Sequence, residues 1–283
     1  MRSNIVALVG AAALVISACS TTTTPQPGQE TPDGMAHIHG LGINPADGAL
    51  YAGTHYGVYR IAADRKPARV SDVVQDFMGF TVVGPDHFLG SGHPAEHAAD
   101  QPPNLGLIES TDGGRSWTPV SLSGNADFHA LEYRDGLVIG LDSTTRTVMV
   151  STDQHTWQPR ATLRAIDIAV SPDNPNEVLA TTAQGVMRST DQAATFTPAG
   201  TGPALAFVAW PDDGPLIGVD PAGAVYVSPD AARTWKQRRE LHQQPQALLA
   251  AGDGVVYLAT DTVIHRSTDN GTTFEIYYAL EQP

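Results

Sequence analysis

The chain has 283 residues, 41% hydrophobic and 16% charged, with 30 acidic against 16 basic side chains and a net charge of −14. That length suits one large domain, and the hydrophobic fraction excludes general disorder. Lysine is confined to Lys66 and Lys236, and a chain this acidic with no basic run excludes nucleic acid as a partner and argues against electrostatic docking to anionic lipid.

At the amino end, Arg2 precedes an apolar run from Ile5 to Ile16, too short for a comfortable membrane span. The run ends in Ile16-Ser17-Ala18-Cys19, which resembles the bacterial lipobox. The resemblance implies that residues 1–18 are a lipoprotein signal peptide and that Cys19 becomes the first mature residue and carries the lipid. It also implies a lipid-anchored protein of the cell envelope, on the extracytoplasmic face of the membrane. The alternative is an ordinary secretory signal, with Cys19 in the discarded part or left as a free thiol. Cys19 is the only cysteine, so no disulfide forms within the chain and packing supplies the stability. Residues 20–33, rich in threonine and proline without apolar periodicity, read as the rest of a flexible tether, 19–33, ahead of a folded domain over 34–283.

Within that domain one pattern recurs. Each copy opens on a short alternating strand: Gly57–Arg60, Gly106–Glu109, Thr147–Val150, Gly185–Arg188, Ala224–Val227 and Val263–Arg266. Five of the six run into a turn: Ser110-Thr-Asp112-Gly-Gly-Arg-Ser-Trp117, Ser151-Thr-Asp153-Gln-His-Thr-Trp157, Ser189-Thr-Asp191-Gln-Ala-Ala-Thr-Phe196, Ser228-Pro-Asp230-Ala-Ala-Arg-Thr-Trp235 and Ser267-Thr-Asp269-Asn-Gly-Thr-Thr-Phe274. Their serines lie 38 to 41 residues apart. Gly57–Arg60 leads instead into Ile61-Ala62-Ala63-Asp64, a degenerate copy. Two further apolar stretches precede each strand, so a repeat holds four strands in about forty residues, the content of a propeller blade. The aspartate and serine side chains suit a hairpin held by bonds to nearby amides. The second copy is one residue short and needs an altered turn; Ala193 and Ala232 replace glycine, which predicts less regular turns.

These segments closely resemble the Asp box, the bacterial neuraminidase repeat Ser-x-Asp-x-Gly-x-Thr-Trp. The resemblance implies an all-β, six-bladed β-propeller of four-stranded antiparallel blades, with seven blades as the alternative. Blade boundaries fall near 35–72, 75–123, 126–163, 164–202, 203–243 and 244–281. It also implies that Asp112, Asp153, Asp191, Asp230 and Asp269 are scaffold, on the face opposite the binding site. That site would be built from the loops entering each first strand and those joining second to third strands.

Histidines mark one sector of that face. Seven of the ten lie between positions 37 and 129. His39, Met78 and His129 hold equivalent registers at the entry to three adjacent blades, and His37, two residues from His39, points to the same side. His55 ends a second strand, and His93 and His97 sit in the matching loop of the next blade. Imidazole with thioether suits copper or zinc. A polar ligand pocket and plain structural histidines are the other readings. The long loop His93–Asn104 contains His-x-x-Glu-His, an inverted zinc-protease motif, but Pro94, Pro102 and Pro103 leave too little room for the helix that motif needs. A lid over the histidine sector fits it better.

The repeat resembles a group labelled glycosyl hydrolase or exo-sialidase, which implies three arginines around a sugar carboxylate, a tyrosine–glutamate pair and an acid. Only Tyr59-Arg60-Ile61-Ala62 approaches the family's Phe/Tyr-Arg-Ile-Pro signature; the proline is missing and the register is that of a third strand. Arg69, Arg146 and Arg164, with Asp76, Glu96, Asp100 and Asp127, are the other candidates on the functional face. The leading expectation is a binding or scaffold module, holding a metal through His37, His39, His93 and His129 with His55 and Met78 nearby. A small molecule, glycan or protein would be its ligand; the alternative is a sialidase-type glycosidase.

Overall fold

The computed structural model describes residues 35–71, 74–95, 98 and 100–280, so the segments expected to be signal peptide and tether, Cys19 included, lie outside the described residues. Blade 1 comprises β1 (Ile38–Ile43), β2 (Leu50–Thr54), β3 (Gly57–Ile61) and β4 (Pro67–Arg69). Blade 2 comprises β5 (Asp76–Gly84), β6 (His87–His93), β7 (Leu107–Ser110) and β8 (Thr118–Ser121). Blade 3 comprises β9 (Phe128–Arg134), β10 (Leu137–Asp142), β11 (Thr147–Ser151) and β12 (Gln158–Thr162). Blade 4 comprises β13 (Ala165–Val170), β14 (Val178–Thr182), β15 (Gly185–Ser189) and β16 (Thr197–Pro198). Blade 5 comprises β17 (Phe207–Ala209), β18 (Leu216–Val219), β19 (Ala224–Ser228) and β20 (Lys236–Glu240). Blade 6 comprises β21 (Pro245–Gly252), β22 (Val255–Thr260), β23 (Val263–Ser267) and β24 (Glu275–Ala279).

Every sheet runs in simple chain order with antiparallel neighbours. The first strands β1, β5, β9, β13, β17 and β21 pack side by side and close a ring, β21 against β1. The protein is therefore an all-β, six-bladed propeller.

Sequence polarity follows radius. The second strands are sandwiched between neighbouring blades and are largely apolar; every residue of Leu137–Asp142 and Val178–Thr182 is buried. The outermost strands meet solvent, and all five residues of Lys236–Glu240 are exposed. Glycine on a second strand makes room for aromatic packing: a Cβ on Gly90 would sit 3.0 Å from Phe77 and 3.1 Å from Trp117. The Phe77 and Trp117 rings lie 4.7 Å apart, centroid to centroid.

No blade mixes strands from the two ends of the chain, so side chains close the ring. Met35, Ile38 and Leu41 share one buried cluster with Ala247, Tyr257, Ile264 and Leu280. Ile38 N donates to Gln246 Oε1 at 3.0 Å, and Arg65 pairs with Glu275 at 3.0 Å.

All five Ser-x-Asp turns join third to fourth strands on one face. The turn amides of Gly113, Gln192 and Asn270 donate to carbonyls of the loops between first and second strands, Asp86, Asn176 and Gly254. In the first copy Ser110 Oγ donates to Asp112 Oδ1 at 2.9 Å and accepts from Gly114 N at 2.8 Å, while Ser116 N donates to Asp112 Oδ1 at 2.9 Å. The alanine copies keep this pattern: Ala193 N and Ala232 N each donate to their serine at 2.9 Å. The expectation of less regular turns is overturned. Both alanines are held at left-handed φ, 62° and 66°, at a cost of roughly 1–2 kcal/mol each. The short second copy does differ: Asp153 Oδ1 accepts His155 N and Thr156 N at 2.9 and 2.6 Å.

Candidate functional site: a histidine-lined channel mouth

On the opposite face the first strands of blades 1 to 4 and 6 enter the ring through β-bulges. Ile38 pairs with Thr54 and Gly40 with Gly53, leaving His39 as the extra residue. Met78 is the extra residue between Phe77 and Gly79, and His129 between Phe128 and Ala130. A bulge frees one residue from the ladder and re-aims its side chain. His39 and His129 both line a central cavity of about 520 Å³; Met78, half-buried at the same register, is not among its lining residues. Blade 4 has Ile166 and Asp167 opposite the single Thr181, and blade 6 has Gln246 as its extra residue.

The histidines form two groups. In the first, the His39 and His37 rings lie 4.7 and 4.8 Å from the His55 ring. His55 Nδ1 lies 2.7 Å from Asp76 Oδ1. One ligand atom each from His39, His55 and Asp76 falls within 4.8 Å of the others. Donors 2.0–2.2 Å from a zinc ion stand roughly 3.4 Å apart, so small side-chain rotations would close the set. The Nε2 of His39 is buried with no hydrogen-bond partner. Burial, then the neighbouring His55, pushes its pKa down to about 4, so the imidazole is neutral at physiological pH and keeps a lone pair for a metal.

The second group is organised by Asp127, which is 5% exposed. Its Oδ2 accepts from His129 Nε2 at 2.8 Å and from Ser143 Oγ at 2.7 Å. Burial alone would raise this carboxyl, but those two bonds together with the charges of His129 and His93 outweigh it and hold the pKa below the ordinary value. His93 donates its Nδ1 proton to the Pro103 carbonyl at 2.9 Å, and its Nε2 stays 3.9 Å from Asp127. The structure divides the expected ligand set: His37, His39 and His55 gather with Asp76, whereas His93 and His129 turn to Pro103 and Asp127. Glu96 and His97 lie outside the described residues, as does any account of them as a lid.

Two acids deeper in the channel escaped the sequence reading. Glu132 on β9 and Asp167 on β13 line the cavity. Burial, then repulsion from Asp167, lifts Glu132 to about 8, and burial lifts Asp167 to about 7. The signal was present: each is an acid flanked by apolar residues on an innermost strand, Ala130-Leu131 before Glu132 and Ile166 and Ile168 around Asp167, where a charge is costly unless it has a task.

The third-strand arginines are paired away from this mouth. Arg60 bonds Asp47 at 2.6 Å, Arg188 bonds Glu177 at 2.7 Å, and Arg266 reaches Glu275 at 3.7 Å, a shared third-strand position. Arg69 lines a separate cavity beside Arg60 and Arg115.

Fold and site together define a six-bladed propeller with a polar, histidine-rich channel mouth. No family model matches the chain, and no curated protein matches it in sequence. Among solved structures it is similar to the GH74 enzyme of Niastella koreensis, with TM-score 0.63 and 15% identity over 86% of this chain and 45% of that one. It is also similar to YCF48 bound to D1 peptide, with TM-score 0.55 and 17% identity over 86% of this chain and 81% of that one. A third is a catalytically inactive virginiamycin B lyase from Staphylococcus aureus with quinupristin, with TM-score 0.57 and 14% identity over 88% and 85% of the two chains. The chain spans less than half the length of the GH74 enzymes it matches. At these identities the likeness is one of fold.

Proposed function

We propose that this chain is a binding module that holds a zinc or copper ion at its channel mouth through His39, His55 and Asp76. The observation that carries the reading is the convergence of one ligand atom from each of the three residues to within 4.8 Å, beside which His39 keeps a buried, unpartnered Nε2. Two imidazoles and a carboxylate suit zinc, with copper(II) next. Three protein ligands leave a coordination position open to a small molecule, glycan or protein side chain, and His37 stands close enough to supply a fourth. In this reading the Ser-x-Asp turns are Asp boxes with a scaffold role. Cys19 carries lipid, and residues 20–33 tether the propeller outside the membrane.

Metal analysis of the zinc-loaded full chain tests the site. One ion per chain is expected, lost in the double variant His39→Ala/His55→Ala and retained in His129→Ala. Equal stoichiometry in the double variant ends the reading. Cells fed an alkyne fatty acid test the anchor: label is expected on the wild type and absent from Cys19→Ser.

A second reading, a glycoside hydrolase of exo-sialidase type, has one specific support: Glu132 keeps its proton near neutral pH, as a general acid must. Turnover of a fluorogenic sialoside that vanishes in Glu132→Gln is its expected result; no turnover by the wild type removes it.

A further inference from the structure

Below the histidine mouth the channel holds two carboxyl groups that the metal reading leaves unused. Glu132 and Asp167 stand on adjacent innermost strands, β9 and β13, which pack against each other. Their partners are unequal. Asp167 Oδ2 accepts from Val208 N at 2.9 Å. The carboxyl of Glu132 has no hydrogen-bond partner among the described residues, and its side chain is half-buried in the channel wall. Arg134 acts on Glu132 electrostatically, but it is already committed: Nη1 pairs with Asp212, and Nη2 donates to the Trp210 carbonyl at 3.3 Å. Two neighbouring carboxylates on the channel wall repel each other, and the one cation that acts on Glu132 is already shared with Asp212.

The wall beside them is apolar. Phe207, Leu248 and Ile166 line the same cavity. Ile166 is 48% exposed and, with Ile276, is one of two large hydrophobic side chains left exposed among the described residues. Water in the channel solvates the carboxyls but gains nothing from Ile166. A ligand with a charged ammonium on an apolar body satisfies both, through charge-assisted hydrogen bonds to the acids and burial of the isoleucine.

We propose that the channel is a binding site for an amphiphilic monocation, its primary ammonium between Glu132 and Asp167 and its apolar body against Ile166 and Phe207. The site takes its charge preference from two acids and its shape from the innermost strands, and it needs no metal. Protons compete with the ligand, because burial, with repulsion from Asp167 added at Glu132, keeps Glu132 and Asp167 protonated to about pH 8 and 7. The other charged or titratable groups lining this cavity are Tyr133, the committed Arg134–Asp212 pair and, above, His129 and the neutral His39.

Calorimetric titration of the full chain with benzylamine, in chelator so that the metal reading is not at stake, tests the site. Benzyl alcohol serves as the neutral control. Expected are binding of benzylamine but not of the alcohol, affinity rising about tenfold from pH 6 to pH 8.5, and proton release on binding. Glu132→Gln and Asp167→Asn keep the side-chain volume, and the amide oxygen that replaces the Asp167 carboxylate can still accept from Val208 N. Each variant is expected to lower affinity at least tenfold while melting no lower than wild type. Absence of benzylamine binding, equal binding of the alcohol, or undiminished affinity in both variants overturns the proposal.

Discussion

Single residues here do opposite things with the same physics. Burial drives His39 to its neutral form, which suits metal binding, and drives Glu132 to its protonated form, which burdens the fold once the pH rises. The sign for Glu132 follows from linkage. Its folded pKa, about 8, lies above the ordinary 4.5, so its contribution to stability is complete below about pH 4.5 and is lost as the pH climbs through 8. Glu132→Gln removes that dependence, so the melting temperature of the variant should exceed wild type by more at pH 8.5 than at pH 5, as calorimetric scans would read. Ala231, held at φ 56°, is a simpler case. Ala231→Gly relieves the left-handed strain and is expected to stabilise the protein by about 0.5–1 kcal/mol in denaturant unfolding.

At the level of elements, the turns and the bulges divide structure from function. A Ser-x-Asp turn satisfies its amides through one serine oxygen: Ser189 Oγ accepts from Ala193 N at 2.9 Å and donates to Asp191 Oδ1 at 2.7 Å. Ser189→Ala strands those groups and should cost about 1–3 kcal/mol in unfolding free energy while leaving metal stoichiometry untouched. The turns were legible in the sequence because their physics is local, a hydroxyl and a carboxylate bonding amides two to four residues away. The shared register of His39, Met78 and His129 was legible for the same reason: each bulge follows the same entry pattern. What one strand could not reveal was the cross-blade partner. Asp76 of blade 2 came to His55 of blade 1 through the packing of neighbouring blades, whereas Asp127 meets His129 within blade 3, where the bulge turns the imidazole back on a residue two positions away. Glu132 and Asp167 were hidden because an acid on an apolar strand reads as an interruption until its neighbour on the next blade is known.

For the whole molecule, the decisive feature is a ring closed without strand exchange. Met35 and Leu280, from opposite ends of the described chain, meet in the cluster between blades 1 and 6. Met35→Ala should therefore cost about 2–5 kcal/mol, more than removing the exposed Arg65–Glu275 pair, worth about 0–1 kcal/mol; urea unfolding of the two variants measures the difference. That closure also fixes the first group of histidines, since β1 carries His39 and Ile38 is pinned to Gln246 of β21.

X-ray absorption at the zinc edge, on the full chain loaded with one equivalent at pH 7, looks directly at the proposed centre. The predicted first shell holds two imidazole nitrogens and one carboxylate oxygen near roughly 2.0–2.2 Å, with the imidazole signature gone in His39→Ala/His55→Ala. A shell of oxygen atoms alone, or an imidazole signature unchanged in that variant, would contradict the account.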